Sequence, residues 1–202
     1  MIAKLKELDI SRFIFLSILP QILVLIISFF LISIGLNFDK YGVIQTAIVL
    51  PISFVIIPYI FLLKTGSKLN MEDVGLRKFK KQEIIIFIVI MCAITLIVYL
   101  RGEFDYSIIF FAIQTFVVST SEEIWARGML IYELKRSKFS WFLCVIISSL
   151  IFAFLTHQNR PIFENLINRF PFAILMGFLY YKTEKIEVPI LIHFSNNMIG
   201  GI

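Results

Sequence analysis

The sequence is poor in charged residues, in glycine and proline, and above all in cysteine and histidine. Charged residues make up 16% of the 202 residues, whereas ordinary soluble domains carry about 25%. Hydrophobic residues reach 59%, more than the core of a soluble fold of this length could bury. This balance excludes an ordinary soluble domain and indicates a protein that uses the lipid bilayer as its solvent.

The few cysteines and the absence of a flexible linker limit the possible disulfides and domain boundaries. Cys92 and Cys144 lie inside apolar runs, so we expect small buried core residues rather than disulfide partners or metal ligands. No stretch rich in Gly, Ser or Pro divides the sequence, which predicts a single membrane domain over residues 1–202. The first apolar run is longer than a signal-peptide core of about 7–15 residues, so we expect it to remain as the first membrane span.

Seven apolar segments of roughly membrane-spanning length follow one another. A helix needs about 17–25 residues to cross the hydrocarbon core, and helices are the default because lipid offers no hydrogen-bond partners to the backbone. The sequence therefore predicts an all-α, polytopic transmembrane helical bundle of about seven spans. The predicted spans are residues 13–36, 43–63, 84–100, 106–134, 141–157, 163–181 and 188–202.

Basic residues alternate between the two ends of these spans. Fourteen of the nineteen Lys and Arg residues lie at the amino terminus or after spans 2, 4 and 6, and four lie on the opposite side. Positive residues are enriched in cytoplasmic loops, so we predict a multi-pass protein of the cell membrane with a cytoplasmic amino terminus. The basic segment 69–83 is interpreted as an amphipathic surface helix or as a solvated loop. A nucleic-acid partner is not expected, because the positive charge is divided into short runs.

Three charged side chains interrupt the fourth span, where a charge in lipid costs several kcal/mol. Glu123 and Arg127 are spaced i, i+4, so they share a helix face and can pair. Glu122 points about 100° away from Glu123 and needs its own reason to be there. A purely structural ion-pair network explains Glu123 and Arg127 better than it explains Glu122. The Trp125 side chain could line a cavity, although packing against lipid is the simpler expectation.

The two histidines stand on two further spans. His157 closes span 5, and His193 lies in span 7 on the same helix face as Asn197. Lone histidines in membrane helices often make only interhelical hydrogen bonds. Together with Glu122, however, these side chains supply a general base, a proton carrier and oxyanion donors, which suit the addition of water to a carbonyl.

Two common hydrolytic motifs are missing from the sequence. It contains no Gly-x-Ser-x-Gly elbow, so a serine nucleophile is not expected, and no His-Glu-x-x-His zinc motif. Catalysis without a cofactor is therefore favoured. A zinc ion held by Glu122, His157 and His193 remains an alternative, because catalytic zinc accepts two histidines and a carboxylate.

At these positions the chain resembles the CAAX prenyl protease and bacteriocin-processing family, also called the Abi family, over roughly residues 114–202. The family motif Glu-Glu-x-x-x-Arg is matched by Glu122, Glu123 and Arg127. The motif His-x-x-x-Asn or Asp is matched by His193 and Asn197.

A third family motif, Phe-x-x-x-His, is matched at its histidine alone. Ala153 stands four residues before His157, and phenylalanines stand three and five residues before it. This difference from the family motif affects which residues are expected to pack around His157.

The resemblance implies a glutamate-dependent intramembrane endopeptidase that cuts a membrane-associated peptide or protein. Glu122 and His157 would activate water, and His193 and Asn197 would stabilise the oxyanion. The remaining motif residues would hold the site together. The implied bacterial roles are peptide or bacteriocin processing and self-immunity. The expected site residues are Glu122, Glu123, Arg127, His157, His193 and Asn197.

Two other functional classes remain open. A non-catalytic membrane immunity or interaction protein could retain the same fold and bind a peptide or a partner membrane protein. A small transporter or proton relay could use the same buried charges, although the sequence has no inverted repeat.

If the helices are straight, the predicted site residues lie at different depths in the membrane. At about 1.5 Å per residue from the cytoplasmic charges, Glu122 lies about 18 Å deep, His157 about 28 Å and His193 about 12 Å. Residues of one site should agree better. Tilted or broken helices, or a re-entrant segment near Pro161, would be needed to bring them together.

Overall fold

The chain folds into a helical bundle, which confirms the fold class predicted from the sequence. The computed structural model describes residues 9–34, 42–67, 69–77, 80–101, 107–156 and 161–200. Each predicted span coincides with one helix. The helices are α1 (Ile10–Ser33), α2 (Val43–Leu50, Pro51–Ile56 and Ile57–Lys64), α3 (Lys81–Leu100), α4 (Ile108–Glu123, Ile124–Leu130 and Ile131–Arg136), α5 (Trp141–Leu155), α6 (Ile162–Glu164, Asn165–Arg169 and Phe170–Thr183) and α7 (Glu187–Met198).

Length and apolar composition support a multi-pass membrane protein. Among the described residues, five helices are long and apolar enough to cross a membrane: α1, α2, α3, α4 and α6. The helix α5 is apolar but shorter, with 15 residues, and α7 has 12 residues. The large side chains on the outer faces are exposed and apolar, as expected where lipid takes the place of water.

Three of these helices contain a π-helical turn. The turns cover Pro51–Ile56 in α2, Ile124–Leu130 in α4 and Asn165–Arg169 in α6. Pro51 has no N–H group, so it cannot complete the regular α-helical bonding at that point of α2. Turns of this kind are frequent at functional sites because they redirect side chains within a continuous helix. The turn in α4 begins directly after Glu123.

The middle of α4 lies at the centre of the bundle. Every residue from 121 to 131 is buried, which is typical of a helix covered on all sides. The expectation that Trp125 faces lipid is therefore wrong, since this side chain is fully buried. Its indole packs edge-on against Phe54 of α2, with 5.3 Å between ring centroids. No face of this part of α4 is left for lipid.

Trp125 also fills a gap in the hydrogen bonding of α1. Pro20 lies inside α1 and lacks the N–H group that would bond the carbonyl of Leu16, four residues earlier. The Trp125 indole N–H donates to the Leu16 carbonyl oxygen at 3.0 Å. A backbone acceptor that would otherwise stay unpaired in an apolar interior thus joins α1 to α4.

The segment between α2 and α3 is tucked into one end of the bundle. The described part of the range 69–83 is not one surface helix: residues 69–77 contain a four-residue 3₁₀ helix, Met71–Val74, and residues 81–83 are the first turn of α3. Val74 is fully buried against Gly128 of α4. A β-carbon at Gly128 would come within 2.9 Å of both the Val74 β-carbon and its carbonyl oxygen. Burial of apolar side chains in this loop has replaced the amphipathic helix.

Polar contacts join three helix ends at the same end of the bundle. Arg12 at the start of α1 forms a buried ion pair with Glu133 of α4, with 2.6 Å between Nη2 and Oε2. Its Nη1 donates to the carbonyl of Thr65, directly after α2, at 3.1 Å. The Ser67 hydroxyl donates to the second Glu133 oxygen at 2.8 Å. The start of α1 and the ends of α2 and α4 therefore lie on one side.

The contact between Trp125 and Leu16 can be tested with a double-mutant cycle. Trp125→Phe should destabilise the protein by about 1–3 kcal/mol, because a buried carbonyl loses its donor. The same change should cost less in a Pro20→Ala background, where the restored N–H of residue 20 can bond Leu16. Thermal unfolding of the four proteins in one detergent measures the difference. Equal losses in both backgrounds would contradict the account.

Candidate active site

A buried carboxylate at the contact between α4 and α7 is the centre of the candidate site. Glu123 Oε1 accepts a hydrogen bond from Arg127 Nη1 at 3.0 Å and lies 2.9 Å from His193 Nδ1. Glu123 and Arg127 are fully buried, and 5% of His193 is exposed. The i, i+4 ion pair predicted from the sequence is therefore present, and it has a histidine partner from α7.

Arg127 extends this cluster to two further helices. Its Nη2 donates to the carbonyl of Ala173 in α6 at 3.2 Å. Its guanidinium carbon lies 4.4 Å from the ring centroid of Phe152 in α5. A guanidinium offers hydrogen-bond donors at its edge and a planar face for stacking, so Arg127 can hold three neighbours at once. A single charged side chain thus joins α4, α5 and α6, and reaches α7 through Glu123.

Glu122 approaches the opposite side of the His193 ring. Its Oε2 lies 3.9 Å from His193 Nε2, and the residue is 8% exposed. This Oε2 has no hydrogen-bond partner among the described residues. The imidazole therefore lies between two carboxylates, with Nδ1 toward Glu123 and Nε2 toward Glu122. Glu123 is fixed by an ion pair, whereas Glu122 lies beside the imidazole; the Oε2 atom of each carboxylate is buried without a hydrogen-bond partner among the described residues.

Two predicted site residues remain, Asn197 and His157, and the described ranges include only Asn197. Asn197 lies one turn after His193 in α7 and is partly buried, on the helix face that the sequence predicts. His157 lies outside the described residues, so its position relative to the cluster stays a prediction. The helix α5 that leads toward it ends at Leu155 and carries Phe152 into the cluster.

Two members of the cluster could not be found from the motifs alone. The Ala173 carbonyl is a backbone group without a sequence signature. Phe152 stands five residues before His157, and its ring also packs edge-to-face against His193, with centroids 5.8 Å apart at 84°. The phenylalanines around His157 were the available signal, but their spacing did not show which one faces the site.

Potential metal ligands are sparse in this region. Across the described ranges, no three His, Cys, Asp or Glu side chains come together in a way that could hold a metal ion. The zinc alternative requires His157, which lies outside these ranges. The described residues show carboxylate, imidazole and guanidinium groups bonded to one another.

An apolar groove runs beside the site, between α3 and the paired helices α4 and α7. It contains two cavities of about 550 and 260 Å³, and Phe116 of α4 lines both. Phe87 of α3 packs edge-on against Phe116, with centroids 6.1 Å apart, between the cavities. Phe194 lines the larger cavity and Thr120 the smaller one. Phe194 directly follows His193 and Thr120 lies three residues before Glu123, but Glu122, Glu123 and His193 line neither cavity.

The groove also corrects one expectation about the cysteines. Cys92 lines the larger cavity and is exposed on the surface of α3, so the prediction of a buried core residue is wrong there. Cys144 of α5 is buried, as predicted. Most residues of α3 are exposed or partly exposed, and the fully buried residue of this helix is Val98. Apolar composition could not distinguish a groove-lining position on α3 from a core position.

The fold and the buried cluster define a multi-pass helical membrane protein with a polar site enclosed between its helices. Residues 103–199 match the family model for type II CAAX prenyl endopeptidase Rce1-like proteins. Over these residues the chain is similar to that family of prenyl endopeptidases, in agreement with the resemblance in its motifs. No curated protein and no solved structure gave a match. All six predicted site residues fall within the matched segment.

The buried ion pair should carry a large share of the stability. Arg127→Met should destabilise the protein by about 3–5 kcal/mol, because it leaves the Glu123 carboxylate buried without its cation. Adding Glu123→Gln to that variant should recover part of the loss. Thermal and denaturant unfolding in detergent measure both effects.

A matched control is Lys135→Met. Lys135 pairs with Glu184 at 3.4 Å, and the Glu184 side chain is 77% exposed, so this change should cost less than about 1 kcal/mol. Similar losses for Arg127→Met and Lys135→Met would contradict a central role for the buried pair.

Proposed function

We propose that the protein is an intramembrane endopeptidase that uses Glu122 to activate water against a peptide bond of a membrane-associated substrate. The catalytic core comprises residues 114–202 within a single membrane domain. One observation carries the proposal: Glu122 Oε2 is buried, has no hydrogen-bond partner among the described residues and lies 3.9 Å from His193 Nε2. The opposite nitrogen of that ring is fixed by Glu123.

The first chemical step uses Glu122 as a general base. The carboxylate takes a proton from water while the water oxygen attacks the carbonyl carbon of the scissile peptide bond. The carbonyl π-bond breaks, and its electron pair becomes the charge of the oxyanion. Glu122 then returns its proton to the leaving amine as the carbon–nitrogen bond breaks. By analogy with the motif, His157 assists the activation of water.

The second requirement is stabilisation of the oxyanion. A protonated His193 donates Nδ1–H to Glu123 and presents Nε2–H on the side of Glu122, and Asn197 adds a side-chain amide one turn further along. With His193 protonated, Glu122, Glu123, Arg127 and His193 carry two negative and two positive charges. When Glu122 takes up a proton, the oxyanion supplies the negative charge that is lost. The net charge of the site is therefore unchanged through the step, which avoids the cost of creating an additional buried charge.

The apolar groove supports a substrate that lies in the membrane. Its walls are mostly apolar side chains of α3, α4 and α7, with Glu83 and Glu187 in the smaller cavity, and they include Phe194, which follows His193 in α7. An apolar part of the substrate in this groove would hold a neighbouring peptide bond at the polar cluster. Such a contact is the same in the bound substrate and in the transition state, so its binding energy would lower KM.

The cellular setting is part of the same proposal. We place the protein in the cell membrane with its amino terminus on the cytoplasmic side, supported by the bias of basic residues. The contacts of Arg12, Thr65 and Glu133 fit this topology, because they join helix ends predicted to share one side. The substrates in view are bacterial precursor peptides, in bacteriocin processing or self-immunity.

The proposal predicts that Glu122→Gln abolishes cleavage. Loss of a general base lowers the rate by about 10²–10⁴-fold. The measurement is cleavage of a panel of precursor peptides with apolar segments by the purified protein in detergent, with and without a chelator. Glu184→Gln, the same chemical change on an exposed side chain, serves as the matched control and should cleave at the wild-type rate.

Each outcome of this assay discriminates between functions. Loss of cleavage in Glu122→Gln without chelator sensitivity supports a metal-free glutamate peptidase. Chelator sensitivity would instead indicate a metal site. Binding of a peptide by both proteins, with cleavage by neither, would favour a non-catalytic immunity or interaction protein that retains the fold. Ion or proton flux in liposomes without any cleavage product would favour a transporter.

The groove makes a separate prediction about substrate binding. Ala112→Trp fills part of the larger cavity, which Ala112 lines. It should raise KM about tenfold or more for a peptide with an apolar anchor and change kcat little. The lost contact stabilises the bound substrate and the transition state equally, so its removal weakens binding without slowing the chemical step. Ile86→Trp, on a 58% exposed position of α3 outside both cavities, should change neither constant. An unchanged KM in Ala112→Trp would exclude the groove as the substrate site.

A further inference from the structure

We infer that Phe152 is a positioning residue of the site, which holds Arg127 and His193 in the orientations that Glu122 and the substrate require. The kinetic part of this inference rests on the proposed function, whereas its geometric part can be measured without any substrate. Phe152 is 3% exposed. Its ring contacts both partners of the Glu123 carboxylate, through a cation–π contact to Arg127 and an edge-to-face contact to His193.

The contacts of Arg127 show what the ring adds. Two guanidinium nitrogens donate in the plane of the group, to Glu123 at 3.0 Å and to the Ala173 carbonyl at 3.2 Å. These bonds fix the edge of the guanidinium. The guanidinium carbon also lies over the Phe152 ring, 4.4 Å from its centroid. Attraction between a cation and an aromatic face is strengthened where water is absent, so the ring is a third contact that holds the guanidinium in place.

The contacts of His193 show why this matters for chemistry. A single hydrogen bond from Nδ1 to Glu123 leaves the imidazole free to tilt about that bond. The Phe152 ring, at 84° to the imidazole with centroids 5.8 Å apart, restricts the tilt. The direction of Nε2 toward Glu122 then depends on an aromatic neighbour. A displacement of about 1 Å in such a site can cost about 10²-fold in rate.

Phe152 stands one residue before the position that the family motif assigns to phenylalanine. It lies five residues before His157 and on the helix that leads to that histidine. Ala153, four residues before His157, is also fully buried but has no aromatic ring. In this chain the ring that meets the guanidinium and the imidazole therefore comes from position 152.

The experiment compares Phe152→Leu with Phe152→Tyr and with a matched control, Phe139→Leu. Leucine keeps an apolar side chain but has no aromatic face, and tyrosine keeps the face. Phe139 belongs to the main apolar core and is 8% exposed, so its substitution tests general loss of packing. If Phe152→Leu does not fold, Phe152→Met takes its place, since methionine fills irregular spaces well.

The first readout is imidazole ¹⁵N NMR of histidine-labelled protein in nanodiscs. The chain has two histidines, so a His157→Gln sample assigns both signals. We expect one state of His193 in the wild type, with its Nδ1 proton bonded to Glu123. Phe152→Leu should show a mixture of states or exchange broadening, and Phe152→Tyr and Phe139→Leu should resemble the wild type. An unchanged His193 spectrum in Phe152→Leu would overturn the inference.

The second readout is kinetic. Phe152→Leu should lower kcat about 10–100-fold, because the site is misaligned. KM should stay within about twofold of the wild-type value, because the groove is intact. Phe152→Tyr should keep most of the wild-type kcat. Equal losses in Phe152→Leu and Phe139→Leu would reduce Phe152 to a packing residue and overturn the inference. If the wild type cleaves no peptide, the proposed function fails, and the NMR readout alone still decides whether Phe152 orients His193.

Discussion

The structure depends on one carboxylate oxygen, Glu123 Oε1, which is shared between Arg127 and His193. A carboxylate and a guanidinium enclosed in a lipid-embedded bundle are tolerated only when they are paired and hydrogen-bonded. Their contacts come from side chains of α4, α5 and α7 and from a carbonyl of α6, while Glu123 Oε2 and Arg127 Nε have no hydrogen-bond partner among the described residues. The requirement fixes how these helices face one another, and with them the direction in which Glu122 and Asn197 project.

Apolar attraction alone would not specify this arrangement, because lipid tails are as apolar as leucine and isoleucine. Polar contacts and close backbone approaches take its place. Besides the indole contact to Leu16, Ser148 of α5 donates to the carbonyl of Ala126 in the π-helical turn of α4 at 2.6 Å. Gly177 of α6 lets Val145 of α5 approach, where a β-carbon would lie 3.1 Å from a valine methyl group. Small residues and hydroxyls thus set the distances that the charged cluster requires.

Much of the fold could be predicted from the sequence, because hydropathy and span length report directly on the bilayer. The pairing of Glu123 with Arg127 also followed from spacing within one helix. Contacts between helices could not be predicted in this way: hydropathy does not identify the helix at the centre, so the environment of Trp125 was misjudged. The straight-helix depths of Glu122 and His193, about 18 and 12 Å, likewise ignored the π-helical turn that follows Glu123 in α4; the two side chains lie 3.9 Å apart.

The contacts of α1 also have a consequence for how the protein is made. Arg12 and Glu133 are 121 residues apart in the chain, and Leu16 and Trp125 are 109 apart. The first helix is therefore synthesised and enters the membrane well before its buried partners exist. It can pack early against α2, as the Phe15 and Phe61 rings do with centroids 4.6 Å apart, but its Pro20 gap stays unfilled until α4 has been inserted. Membrane insertion and the formation of these polar contacts are thus separate stages for this helix, and a defect in α4 would leave Arg12 and the Leu16 carbonyl without their buried partners.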